Sequence, residues 1–138
     1  MELDEIKERL NDIYTRIPSF DCKRCGYCCG PVNWLLPEDL IIREWMKNNN
    51  MEYVKWGTQD FIGNDFRCPY YDWENKLCKI YEVRPLICRL QGMTERLPCP
   101  NNEGVRQMSR QLVDNIWRDI NKLTEEVALS MNLVVVKK

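Results

Sequence analysis

The sequence predicts a mainly α fold with a short β-hairpin, a small domain gathered around a cysteine cluster. Three observations carry that expectation. Apolar residues recur three and four apart over residues 3–17 and again over about 103–130. Two short runs rich in Tyr, Cys and Ile flank a polar turn near Trp73–Lys76. Eight cysteines, four of them between Cys22 and Cys29, stand in a chain with no histidine.

Composition limits the alternatives. A chain of 138 residues is expected to form one domain, 1–138, with a cysteine core over residues 20–100 and flanking helices at 3–17 and about 103–130. Hydrophobic residues make up 44% and charged residues 30%, which suits a globular core with a solvated surface. The formal net charge of −1 gives no general attraction to nucleic acid or to an acidic membrane, so neither is expected as a partner. No apolar run approaches the roughly 20 residues of a spanning helix. The N-terminal residues are acidic and amphipathic rather than basic and then apolar, unlike a secretory signal. The expected location is cytoplasmic. In that reducing setting eight cysteines read as metal ligands more readily than as disulfides, with a hyperthermophile source as the exception.

The elements follow in chain order. Leu3, Ile6, Leu10, Ile13, Tyr14 and Ile17 form one helical stripe, ended by Pro18. The cysteine cluster follows as a loop, with Gly26, Gly30 and Pro31 around it. A second helix is expected to open at Pro37, with Glu38 and Asp39 at the positive end of its dipole, and to stop at Asn48-Asn49-Asn50. Residues 51–80 are aromatic and irregular. Within them Arg67–Tyr71 and Leu77–Tyr81 are read as the strands of the hairpin. The long helix, expected from about Glu103 to about Ser130, carries the stripe Val105, Met108, Leu112, Ile116, Ile120, Leu123 and Val127, with Asn101 or Asn102 as its cap. Leu133–Val136 is a β-branched tail and a possible short strand.

The cysteines carry the chemistry. Cys22, Cys25 and Cys28 are three residues apart, a spacing that lets successive thiolates turn onto one metal centre while backbone N–H groups point at the sulfurs. Zinc ribbons and iron–sulfur loops share it, so spacing does not choose the metal. Cys29 adjoins Cys28, and in locally extended chain neighbouring side chains point to opposite sides. The pair is therefore better suited to two centres, or to one larger cluster, than to one mononuclear tetrahedral site. Cys68, Cys78, Cys88 and Cys99 supply four further thiols, enough for two four-cysteine sites. An alternative is one four-thiolate site with the remaining cysteines as small buried hydrophobes.

These motifs resemble a known family. Cys22-x-x-Cys25-Gly-x-Cys28-Cys29, then Cys68-Pro-Tyr, then Cys78-Lys-Ile-Tyr-Glu-Val-Arg-Pro-Leu-Ile-Cys88-Arg, is similar to the YkgJ-type CxxCxxCC cysteine-cluster proteins, a zinc- or iron-chelating domain. The flagellin lysine N-methylases look similar in their cysteine motif, where an iron–sulfur cluster is implied. The resemblance covers roughly residues 20–100. It implies metal binding through Cys22, Cys25, Cys28, Cys29, Cys68, Cys78, Cys88 and Cys99, and implies little about a reaction.

Arg84 and Arg89 flank Cys88 in this motif. Their guanidinium groups have three readings: hydrogen bonds to thiolate or cluster sulfur, a hold on an anionic substrate, or salt bridges to Glu82 or Asp72. Pro85 is read as stiffening the turn before Cys88. The expected function is that of an iron–sulfur protein with one or two 4Fe–4S-type clusters. It would act in electron transfer or in a redox or methyl-transfer system, with a redox or protein partner. The alternative is a zinc-stapled interaction module without catalysis. No glycine-rich loop follows a strand in the manner of a nucleotide-binding fold, and the sequence leaves open whether the chain is itself an enzyme.

Overall fold

The computed structural model describes residues 1–18, 34–53, 68, 70–72, 74–94, 97 and 108–132. Among them the elements are α1 (Leu3–Tyr14), α2 (Leu36–Asn48), a two-stranded antiparallel hairpin of β1 (Tyr71–Asp72) and β2 (Leu77–Cys78), a 3-10 turn (Tyr81–Val83), α3 (Leu86–Leu90) and α4 (Arg110–Ser130). The expected class, mainly α with a short hairpin, is the observed one.

Helices α1, α2 and α4 pack against one another. Ile6, Leu10 and Ile13 of α1 are buried, as the stripe requires, and they meet Ile116, Ile120, Leu123 and Val127 of α4, each fully buried. Helix α1 is shorter than 3–17. It closes at Thr15, and the N–H groups of Arg16 and Ile17 turn back to Ile13 and Tyr14 at 3.2 and 3.1 Å before Pro18. Helix α2 opens one residue ahead of Pro37 and ends in the asparagine run, where Asn50 takes φ 54°, a left-handed value that asparagine tolerates.

The start of α4 differs from the sequence expectation. Met108 and Ser109 are not helical, and the helix begins at Arg110, not near Glu103. Ser109 is the cap: its Oγ accepts the N–H of Leu112 at 3.2 Å. Met108 is buried ahead of the helix, where its N–H donates to the Met93 carbonyl at 2.6 Å. With this start the buried face runs Val113, Ile116, Ile120, Leu123 and Val127, and Leu112 lies outside it, 36% exposed. The proposed caps Asn101 and Asn102 and the tail Leu133–Val136 lie outside the described residues.

The hairpin turn is held by the side chain of Asp72. Asp72 accepts the N–H groups of Glu74 and Asn75 at 3.0 and 3.1 Å and the side-chain amide of Asn75 at 2.8 Å, while Lys76 takes φ 52°. Tyr71 pairs with Cys78 and Asp72 with Leu77. One further bond, Lys79 N–H to the Tyr70 carbonyl at 2.8 Å, extends the pairing. Arg67, Pro69 and Trp73 of the expected hairpin lie outside the described residues.

Two ion pairs, Arg9–Glu126 and Arg16–Asp119, tie α1 to α4 at the surface. Such exposed pairs contribute little. Arg16→Ala is expected to lower stability by no more than about 1 kcal/mol in denaturant unfolding, and a larger loss would mean that the pair organises the α1–α4 packing.

Candidate metal centre

Three of the eight cysteines fall in the described part, and it places them in one neighbourhood. Cys68 precedes β1, Cys78 ends β2 and Cys88 lies in the middle of α3. All three are half-buried, and none forms a disulfide. Cys68 and Cys78 pack on a second apolar cluster of Ile42, Met46, Tyr70 and Ile80, beside Trp34, Trp45 and Tyr53. Cys22, Cys25, Cys28, Cys29 and Cys99 lie outside the described residues.

The thiols are close enough to feel one another's charge. Burial, together with negative charge on Cys68 and Cys78 and against the opposing Arg84 guanidinium, pushes the Cys88 thiol up to about 12. Burial also raises the Cys68 thiol. There the N–H groups of Tyr70 and Tyr71 act in the other direction by favouring the thiolate, and Cys78 adds to the rise. Backbone N–H groups aimed at sulfur and a nearby guanidinium are the usual supports of metal-bound thiolates. Without a metal these thiols remain protonated near neutral pH. A bound metal would displace the protons and take the thiolates as ligands. Soft sulfur donors, with no imidazole anywhere in the chain, fit zinc or iron–sulfur and do not fit magnesium or calcium. Among the described residues no three His, Cys, Asp or Glu side chains are grouped so as to hold a metal ion, so a ligand set would have to draw on cysteines outside them.

Neither arginine of the motif forms a salt bridge to Glu82 or Asp72 among the described residues. The Arg89 Nε donates to the Arg84 carbonyl at 2.7 Å and its Nη2 to the Glu82 carbonyl at 3.1 Å, and its guanidinium lies 3.9 Å from the Tyr14 ring centroid. The Arg84 Nε donates to the Tyr81 carbonyl at 2.9 Å, with the guanidinium 3.8 Å over the Tyr81 ring. The Glu82 carboxylate instead accepts the indole N–H of Trp45 at 3.3 Å, and that of Asp72 serves the hairpin turn. Arg84 therefore supplies positive charge near Cys88, and Arg89 braces the chain that carries it. Pro85 is buried and occupies the N-cap of α3, three residues before Cys88.

A buried carboxylate completes this neighbourhood. Glu38, only 2% exposed, sits in the first turn of α2. Its Oε1 accepts the Leu35 N–H at 3.2 Å, and its Oε2 accepts the Tyr14 hydroxyl and the Leu86 N–H, each at 2.5 Å. Burial raises its carboxyl pKa, partly offset by these bonds and by Arg89. The sequence reading assigned Glu38 only to the helix dipole. Its position three residues after Leu35, where a Glu reaches back to the N-cap amide, is the signal that marks it. A cavity of about 480 Å³ opens beside this group, lined in part by Lys7, Tyr14, Glu38, Glu82 and Arg89. No described cysteine lines it.

The next residue, Asp39, behaves in the opposite way. Burial pushes its carboxyl up, but the Trp34 indole at 2.9 Å, Arg43 at 2.7 Å and the Tyr53 hydroxyl at 2.8 Å outweigh that and lower it below 3.8. A lowered folded-state pKa contributes stability above the unfolded value that is lost as pH falls through the folded one. The stability deficit of Asp39→Asn relative to the unsubstituted protein is therefore expected to be full at neutral pH and to close below about pH 4. A deficit that does not change down to pH 2 would contradict this, and paired thermal melts across that range measure it.

A small, mainly helical domain that brings soft thiols together at the foot of a hairpin, in a chain without histidine, is a cysteine-based metal-binding domain. Comparison with known proteins agrees. The CxxCxxCC family, described as "Putative zinc- or iron-chelating domain", matches residues 21–114, and the chain belongs to that family. It is also 30% identical over 118 residues to an uncharacterized protein of Methanocaldococcus jannaschii, an alignment covering 77% of this chain and 58% of that relative. The chain thus spans little more than half the length of the relative. No solved structure matches it. Among the described residues no helix is long and apolar enough to cross a membrane.

Proposed function

We propose that the protein is an iron–sulfur protein in which both cysteine sets, Cys22, Cys25, Cys28 and Cys29 with Cys68, Cys78, Cys88 and Cys99, ligate one or two 4Fe–4S-type clusters. Its role is electron transfer or service in a redox or methyl-transfer system, with a partner protein that exchanges electrons or substrate. The observation that supports this reading is the electrostatic coupling of Cys68, Cys78 and Cys88, with Cys68 and Cys78 on an apolar cluster, N–H groups favouring the Cys68 thiolate and Arg84 charge acting on Cys88. The adjacent Cys28–Cys29 pair supports two centres or a larger cluster over a single tetrahedral zinc.

Hydrogen bonds and positive charge near cluster sulfur favour the reduced form and tune its potential. Arg84 is the residue placed to do so. Full thiolate ligation suits electron transfer, whereas chemistry at iron requires one exchangeable position. Purification without oxygen, followed by iron, sulfide and zinc analysis and visible absorption, tests the reading. A brown protein with matched iron and sulfide, bleached by dithionite, is expected. A colourless protein with stoichiometric zinc and no sulfide would replace this reading with a zinc-stapled interaction module.

A further inference from the structure

We propose that Glu38 is a positioning residue of the metal centre, its buried carboxylate holding the first amide of α3 and so setting where Cys88 stands relative to Cys68 and Cys78. The inference rests on the reading that Cys88 is a ligand.

The geometry is specific. Helix α3 has only five residues, and the N–H groups of Cys88 and Arg89 are already spent on the Pro85 carbonyl, at 3.1 and 3.2 Å. The N–H of Leu86 has no acceptor within so short a helix, and the Oε2 of Glu38 supplies one from α2, 48 residues away in sequence. Leu86 is itself fully buried, so an unmet amide there would be costly. The other end of the segment is held by Arg89, through the carbonyls of Glu82 and Arg84 and the Tyr14 ring. Tyr14 also donates to Glu38. One carboxylate thus joins α1, α2 and the segment that bears Cys88.

Arg89 favours the charge of Glu38, but the centre itself does not. The carboxylate opposes ionisation of the Cys88 thiol, and burying it costs several kcal/mol before its hydrogen bonds are counted. What Glu38 offers the centre is reach: a side chain long enough to return to the Leu35 amide and also to cross to Leu86.

The test separates reach from charge. Metal-loaded protein is challenged with a chromophoric chelator, and alkylation at Cys68, Cys78 and Cys88 is followed by mass spectrometry. Glu38→Asp keeps the charge and loses reach. It is expected to release metal roughly 10- to 100-fold faster, with Cys88 labelled ahead of Cys68 and Cys78. Glu38→Gln keeps an acceptor at full length and should restore release to near the unsubstituted rate. Tyr14→Phe removes a bond to the same carboxylate without touching Leu86, and should lower Tm without changing the labelling order. Equal labelling of the three thiols in Glu38→Asp, rising only in step with its Tm loss, overturns the proposal. If Glu38→Asp does not fold, hydrogen exchange on the metal-loaded, unsubstituted protein decides instead. A protected Leu86 amide upholds the proposal, and one exchanging as fast as a surface turn overturns it. Failure of the metal reading itself is distinct: the unsubstituted protein would then yield no metal to the chelator.

Discussion

Cys25→Ser is expected to deplete the metal and to take much of the folded structure with it. Serine keeps the size of cysteine but replaces a soft thiolate donor with a hydroxyl that does not ionise at neutral pH, and the centre loses a ligand. Structural metal sites in small domains couple binding to folding, so the free energy of ligation is also free energy of folding. A loss on the order of 3 kcal/mol or more is expected, which in a domain of this size lowers Tm by about 10 °C or more. Cys88→Ser should follow the same pattern, because the proposal makes it a ligand and charge on Cys68 and Cys78 reaches its thiol. Metal analysis together with thermal melts checks both. Unchanged metal content and Tm in Cys25→Ser would remove the close set from the centre. The same result in Cys88→Ser would make it a buried, unliganded thiol.

Ile120→Ala should be the most damaging substitution away from the cysteines. Ile120 is fully buried in the cluster shared by α1, α3 and α4, where Ile6, Leu10, Ile13, Leu86 and Leu90 are also buried. Removing its side chain beyond Cβ leaves a cavity that rigid helices close only in part, at a cost of about 2–5 kcal/mol. Total stability for a domain of this size is about 5–15 kcal/mol, so the substitution consumes a large share of it. Leu129→Ala provides the control: Leu129 lies on the same helix but is 69% exposed, and its loss should be within about 0.5 kcal/mol. Denaturant unfolding of the metal-loaded proteins measures both. A small effect at Ile120 would mean that the metal, rather than the helical core, carries the stability.

The three long helices were legible because each turns a broad apolar face to the other two, and a 3.6-residue period survives without an alignment. The hairpin was legible from its polar turn, where Asp72 and Asn75 do the bonding that their residue types suggest. Helix α3 was not. Five residues are too few to show a period, and Leu86–Leu90 reads as part of a cysteine motif. The start of α4 was misplaced because Met108 continues the apolar stripe while lying outside the helix, and the serine that caps the helix comes after it. Glu38 was missed for a related reason. An acidic residue in a first turn is usually solvated, and only its folded partners, the Tyr14 hydroxyl and the Leu86 amide, show that this one is buried.

The site was legible in its ligands and less so in its supports. Thiol spacing and the absence of histidine announce soft-metal chemistry. They do not separate zinc from iron–sulfur, because both metals accept the same CxxC loops and the same N–H support for sulfur. The arginines show the same limit. Their place beside Cys88 suggested several roles, and the fold divides them, Arg84 supplying charge near the thiol and Arg89 bracing backbone carbonyls and the Tyr14 ring.

The proposed function makes the close and the spaced cysteines ligands of the same metal assembly. Alkylation of the anaerobically purified, metal-loaded protein, with each thiol counted by mass spectrometry before and after metal removal, tests it most directly. Cys22, Cys25, Cys28, Cys29, Cys68, Cys78, Cys88 and Cys99 are all expected to be shielded while metal is bound and all to become reactive when it is withdrawn. Rapid labelling of Cys68, Cys78 and Cys88 with the metal content unchanged would contradict it.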